Sequence, residues 1–138
     1  MTMHARFIAS LLVVAWATLT CFASAAYGHH SFAVHYDPKK IITLSGIAKS
    51  FRFTNPHGVI ELEVHTDKGE TQHWTVETTA PVYMQRRGWT RNTIKPGDQI
   101  TIEGWPAKDG SHLMRIRKVR LPDGTELGQS NPGTATGE

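Results

Sequence analysis

From Val59 to Thr66 apolar and polar residues alternate, with Ile60, Leu62 and Val64 on one side and Glu61, Glu63 and His65 on the other. A period of two predicts a half-buried β-strand. Asp67-Lys68-Gly69-Glu70 reads as a hairpin turn, after which Trp74 and Val76 face inward while His73, Thr75 and Glu77 face outward. Upstream, Ile41 to Phe53 is rich in β-formers. Its apolar parity runs through Ile42 and Leu44, then Ile47, Phe51 and Phe53, so a bulge is expected at Gly46. Asp37-Pro38 followed by Lys39 and Lys40 is a turn leading into this strand, and Thr54-Asn55-Pro56-His57-Gly58 is a tight connection out of it.

Ala80 to Arg87 lacks strand alternation. Thr79 as N-cap, Pro81 in the first turn and Gly88 as the stop predict a short helix there. Alternation returns from Gln99 to Trp105, with Ile100 and Ile102 buried and Trp105, of opposite parity, partly exposed. Trp74 reads as core. Asp109-Gly110 turns the chain into a last strand, His112 to Leu121, and Pro122-Asp123-Gly124 ends the regular structure. The order is three strands, a short helix and two strands. A long, bent first strand that pairs at both ends closes a five-stranded Greek-key barrel. The expected fold is therefore all-β with one short helix, an OB-like (oligonucleotide/oligosaccharide-binding) barrel; an open β-sandwich is the alternative.

The amino-terminal pattern is different. Arg6 precedes an apolar run from Phe7 to Ala17, followed by the small residues Ala23, Ser24, Ala25 and Ala26. This predicts a cleaved signal peptide and a periplasmic protein with no stable membrane span. Phe7 to Ala26 approaches the length of an anchor, but Thr18, Thr20 and Ser24 dilute it. The expected organisation is a signal peptide over 1–28, a histidine-rich lead-in over 29–40, the barrel over 41–127 and a disordered tail over 128–138. Cys21 falls in the signal, so the mature domain has neither disulfide nor thiolate metal site. The net charge of +3 drops to about +2 without Arg6. Arg115, Arg117, Lys118 and Arg120 concentrate positive charge in one segment, but export argues against a nucleic-acid partner and for a solvated strand face.

Several segments together resemble a known family: His29-His30-Ser31-Phe32, Thr54-Asn55-Pro56-His57, Arg87-Gly88-Trp89-Thr90, Pro96-Gly97-Asp98, Asp109-Gly110-Ser111 and Leu121-Pro122-Asp123-Gly124. The chain is similar, over about residues 29 to 127, to the small exported bacterial family termed domain of unknown function 6152. Family members often carry an aromatic residue after the Asn-Pro-His motif, where this chain has Gly58-Val59. The resemblance implies a bacterial envelope protein and no assigned reaction.

Seven histidines lie beyond the signal: His29, His30, His35, His57, His65, His73 and His112. Imidazole suits copper and zinc, and without thiols it is the main soft-metal donor. His29, His30, His35 and His57 are the candidate metal ligands, with copper or zinc as the candidate ion; solvent-facing or turn-stabilising histidines are the alternative. His65 and His73 read as a surface pair and His112 as an ordinary strand opener. Arg86, Arg87, Trp89 and Arg91 form a basic-aromatic cluster. Arg87 and Trp89 could receive an anionic or planar ligand, or Trp89 could plug the barrel end. Ser31 beside His30 is no nucleophile motif, and the glutamates show no pairing that would mark an enzyme. The favoured reading is a small periplasmic binding module for a metal ion or small anion. The alternatives are an adaptor for an envelope protein partner and a copper-dependent oxidative enzyme with His29 at the mature N-terminus.

Overall fold

The computed structural model describes residues 31–128, in the order α1 (Ser31–His35), β1 (Ile42–Arg52), β2 (Val59–His65), β3 (Thr71–Glu77), α2 (Pro81–Gln85), β4 (Gln99–Pro106), β5 (Leu113–Arg120) and β6 (Glu126–Gly128). The expected signal peptide, His29, His30 and the tail from residue 129 lie outside the described residues. The fold below is that of the unit beginning at Ala33. Among the described residues no helix is long and apolar enough to cross a membrane.

Each barrel strand has two neighbours, so the sheet closes on itself. Antiparallel pairs join β1 to β2, β2 to β3, β4 to β5 and β1 to β4, and a parallel pair joins β3 to β5. This is the OB-like Greek-key barrel expected, and not an open sandwich. β1 makes closure possible because its first half, Ile42 to Ile47, pairs with β4 and its second half, Ile47 to Arg52, with β2.

The parity switch in β1 lies at Lys49, where the register with β2 shifts between Ala48 and Ser50, and not at Gly46. Gly46 and Ala48 continue the inward set begun by Ile42 and Leu44, and Ile47 lies between them on the other parity. Gly46 has a different duty. A Cβ there would collide with the Glu63 carbonyl oxygen, so the strand crosses β2 at a distance only glycine permits.

The core comprises Ile60, Leu62, Val76, Ile100, Ile102, Met114, Ile116 and Val119, each no more than 1 % exposed. Fully burying one such side chain contributes about 1.5–3 kcal/mol. α2 starts after Ala80, not Thr79, and has no side-chain cap. Proline disfavours helical backbone in the residue before it, and Ala80 is accordingly extended (φ −64°, ψ 147°). Pro122-Asp123-Gly124 is a hairpin turn, not the end of regular structure. Asp123 Oδ1 accepts the Thr125 N–H at 2.9 Å, Gly124 adopts φ +86°, and β6 returns along Lys118 to Arg120.

Two tryptophans depart from expectation. Trp74 is only half-buried and stacks on His112, ring centroids 4.8 Å apart. Trp105 is 4 % exposed despite its outward parity. The lead-in runs along that end of β4: Asp37 N donates to Pro106 O at 3.0 Å, Lys108 N donates to His35 O at 2.9 Å, and Tyr36 bridges Ala107. That side of β4 therefore has a protein neighbour where an isolated strand would meet water.

Candidate functional site

β3 and β5 run in parallel with Thr75 opposite Leu113 and Glu77 opposite Arg115. Glu77 and Arg115 therefore leave the barrel at the same level and on the same outer face. The β1–β2 loop reaches this level because its backbone is tied to the end of β3. Thr78 N donates to Gly58 O at 2.8 Å and Gly58 N to Thr79 O at 3.4 Å. A Cβ on Gly58 would stand 2.5 Å from Thr78 Oγ1, so glycine lets the two segments close. This clamp delivers His57, whose Nδ1 lies 3.1 Å from Thr78 O and 3.2 Å from an Arg115 terminal nitrogen. One Nδ1 can donate to the carbonyl or accept from the guanidinium, but not both. The ring's two tautomers thus satisfy different neighbours.

The lead-in supplies the fourth member. Tyr36 is 5 % exposed and its hydroxyl donates to Glu77 Oε2 at 2.7 Å. Burial raises the phenol far above its usual pKa, and the Glu77 hydrogen bond and charge push the same way, so Tyr36 remains a donor. The same Glu77 oxygen lies 3.7 Å from Arg115 Nη1. That gap is an ion pair without a hydrogen bond. The Arg115 side chain is only 15 % exposed, and desolvation lowers its pKa while Glu77 and Tyr36 oppose the shift.

Arg115 touches both protein partners through Nη1, and its Nε and Nη2 donors make no hydrogen bond to a described residue. Among the described residues the one sealed and unpartnered side-chain polar atom is Trp89 Nε1. No Arg115 donor is a sealed, unpartnered atom of this kind. A guanidinium in this condition can take a carboxylate or phosphate on two parallel N–H groups.

The sequence-derived candidates are distributed differently. His35 is exposed at the end of α1, and its carbonyl oxygen accepts from Lys108 N at 2.9 Å. Among the described residues no three His, Asp or Glu side chains are grouped so as to hold a metal ion, so His35 and His57 do not form such a site there. Arg87 Nη1 donates to Tyr83 O at 3.4 Å. Trp89 is 1 % exposed inside the barrel, 5.9 Å from the Phe51 ring, which is the plug arrangement. His73 lies opposite Glu63, and His65 opposite Thr71, so the two histidines are diagonal rather than directly paired. On the basic strand, Arg117 and Lys118 meet Glu103, and Arg120 binds Glu126 at 2.8 Å. Those cations are well exposed and share two carboxylates, whereas the Arg115 side chain is only 15 % exposed.

A model described as a family of unknown function, DUF6152, matches residues 15–114. The chain belongs to this family. No curated protein matches it. In this DUF6152 chain the matched segment includes Tyr36, His57 and Glu77 and stops one residue before Arg115. Tyr36, Glu77 and Arg115 were not singled out as a site by sequence pattern. The available signal was the outward parity of Glu77 and Arg115; the parallel pairing that joins them appears only once the barrel is closed.

Proposed function

We propose that this protein is an exported, periplasmic binding module for a small anionic ligand, held at the outer face where β3, β5, the β1–β2 loop and the lead-in meet. The carrying observation is Arg115: a largely buried guanidinium with two kinds of donor unused and a carboxylate kept beyond hydrogen-bond distance. Ligand-binding barrels of this type use the strand 2–3 face and the loops that flank it, and this corner lies on that side of the molecule. His57 meets the same guanidinium at Nη1, so the histidine expected from the sequence forms part of this corner. Export is supported by the Arg6 and Phe7–Ala17 pattern followed by small residues.

The test is a titration of the secreted protein with sodium acetate and with inorganic phosphate, followed by backbone amide NMR. Saturable shifts confined to the neighbourhoods of Tyr36, His57, Glu77 and Arg115 are expected, and Arg115→Met should abolish them while its circular dichroism stays native. Linear, unsaturable shifts in the unmutated protein, or saturable shifts that survive Arg115→Met, refute the reading. Parallel calorimetry with copper and zinc, using a His29→Ala/His30→Ala control, tests the metal alternative.

A further inference from the structure

Between Thr78 and Gly97 the chain has no acidic residue, yet it carries Arg86, Arg87, Arg91 and Lys95. Four positive charges in one segment exceed the net charge of +3 of the whole chain. Among the described residues none of these four meets a carboxylate, whereas Lys49, Arg52, Arg115, Arg117, Lys118 and Arg120 each do. Cations that the fold leaves without counterions attract an anionic partner. The same segment holds exposed apolar surface. Val82 and Tyr83, successive residues of α2, are 50 % and 52 % exposed.

Helix geometry brings the two kinds of group together. Met84 is the buried side chain of α2, and the positions two residues before and after it, Val82 and Arg86, leave on the opposite side. Arg86 keeps helical backbone (φ −62°, ψ −15°), so Val82 and Arg86 are neighbours four apart. Tyr83 and Arg87 have the same spacing, and Arg87 Nη1 donates to Tyr83 O at 3.4 Å, which draws the guanidinium back over this turn. Gly88 then reverses the chain with φ +84°, and Trp89, 1 % exposed, anchors the turn to the core. Arg91 follows in an exposed turn where Thr90 N donates to Thr93 Oγ1 at 2.7 Å. An acidic polypeptide would answer the charges alone. A lipid surface answers both features. Phosphate oxygens take the guanidinium groups, while Val82 and the Tyr83 ring enter the boundary between headgroups and acyl chains, which suits a ring with one polar end. We infer that the α2 turn docks the protein on a membrane surface rich in anionic phospholipid.

The experiment is co-sedimentation of the secreted protein with vesicles of phosphatidylcholine alone and of phosphatidylcholine mixed with phosphatidylglycerol. Binding should be at least about tenfold tighter to the mixed vesicles and should weaken as salt is raised. Each cation near such a surface is worth about fivefold in affinity, so Arg86→Gln/Arg91→Gln should weaken binding about 25-fold. Lys39→Gln/Lys68→Gln removes the same charge from exposed positions outside the segment. It should change binding by less than about threefold, because screening confines the attraction to cations at the surface. Val82→Ser/Tyr83→Ser should weaken binding several-fold at constant charge. All three variants should keep the native circular dichroism, since the substituted side chains are exposed. Equal binding to both kinds of vesicle, or binding to neither, overturns the inference. So does a loss in Lys39→Gln/Lys68→Gln as large as that in Arg86→Gln/Arg91→Gln. A Val82→Ser/Tyr83→Ser variant that binds as tightly as the unmutated protein also overturns it, because α2 then does not enter the lipid. Capture of soluble polyglutamate with the same arginine dependence, without vesicle binding, assigns the surface to an acidic polypeptide and refutes the lipid reading.

Discussion

Gly104 is the position at which one methyl group should do the most damage to the barrel. It lies in β4 beside the register shift that separates Glu103 from Gly104 in the pairing with β5. A Cβ added there would collide with the Arg115 carbonyl oxygen and stand 2.7 Å from Met114 Cε and 3.1 Å from the Arg115 carbonyl carbon. Met114 can turn aside; the Arg115 backbone can move only by opening the β4–β5 ladder. Overpacking of this kind costs about 1–3 kcal/mol, and the backbone obstacle places it at the upper end. Alanine also restricts the unfolded chain, which offsets about 0.4–1 kcal/mol. Gly104→Ala should therefore lose about 2 kcal/mol net. For a domain of this size that lowers Tm by about 8–16 °C, or the urea midpoint by about 1 M. Gly69→Ala is the control, because Gly69 has φ +78° and nothing within 4 Å, so its cost is conformational strain alone, about 1 kcal/mol. Urea melts of both variants followed by circular dichroism decide the matter. A Gly104→Ala midpoint equal to or above that of Gly69→Ala refutes the close approach. Because the obstructing atom belongs to Arg115, the same variant should also perturb the amide signals of Glu77 and His57.

Other expectations concern single groups. Asp109 is held below the usual carboxylate pKa by the Ser111 hydroxyl first and the Ser111 N–H second. A depressed folded-state pKa means this support is complete above the ordinary carboxylate value and is lost as pH falls through the folded one. The Ser111 amide signal should stay constant from neutral pH to about pH 4 and move only in stronger acid; a midpoint at or above that value contradicts the assignment. Trp89→Phe removes a sealed donor that has no partner while leaving an aromatic plug. Its net effect in thermal melts should stay within about 1 kcal/mol, against about 3–5 kcal/mol for Trp89→Ala, and a Phe variant as damaging as the Ala variant would show that Nε1 has a strong partner. His112→Ala should shift the Trp74 indole resonance and no other indole signal, since its ring is the one stacked there; an unmoved resonance rejects the stack.

Local pattern carried the strands because each has one buried face. Ile60, Leu62 and Val64 alternate with polar residues, and the period of two survives folding unchanged. Prediction failed where a second chain segment decides the outcome. Gly46 looked like a bulge because glycine commonly marks one, yet its role is close approach to Glu63. Ala48 hid the true continuation of the inward set, since a small residue carries little parity signal. The parity of β4 alone places Trp105 outside and carries no sign of the lead-in that runs along that strand end. Pro122-Asp123-Gly124 punctuates a chain equally well as a stop or as a turn, and only a paired Leu127, tucked toward the core, distinguishes the two.

The candidate site was the least legible part for a topological reason. In the barrel β3–β5 is the parallel pair, and parallel strands cannot be joined by a short hairpin. Glu77 and Arg115 become neighbours only after the intervening helix and β4 are in place, while Tyr36 reaches Glu77 across 41 residues. The Asn55-Pro56-His57 segment, by contrast, is visible as a motif but has no function in isolation. Its imidazole is fixed by the Thr78 carbonyl and bordered by Arg115, both supplied by distant strands. A local motif can therefore mark this corner without naming its chemistry. On the proposed reading, whether a relative binds the same ligand should depend on its equivalents of Arg115, Glu77 and Tyr36, because the guanidinium and its counterion, and not the loop, would set what the corner accepts.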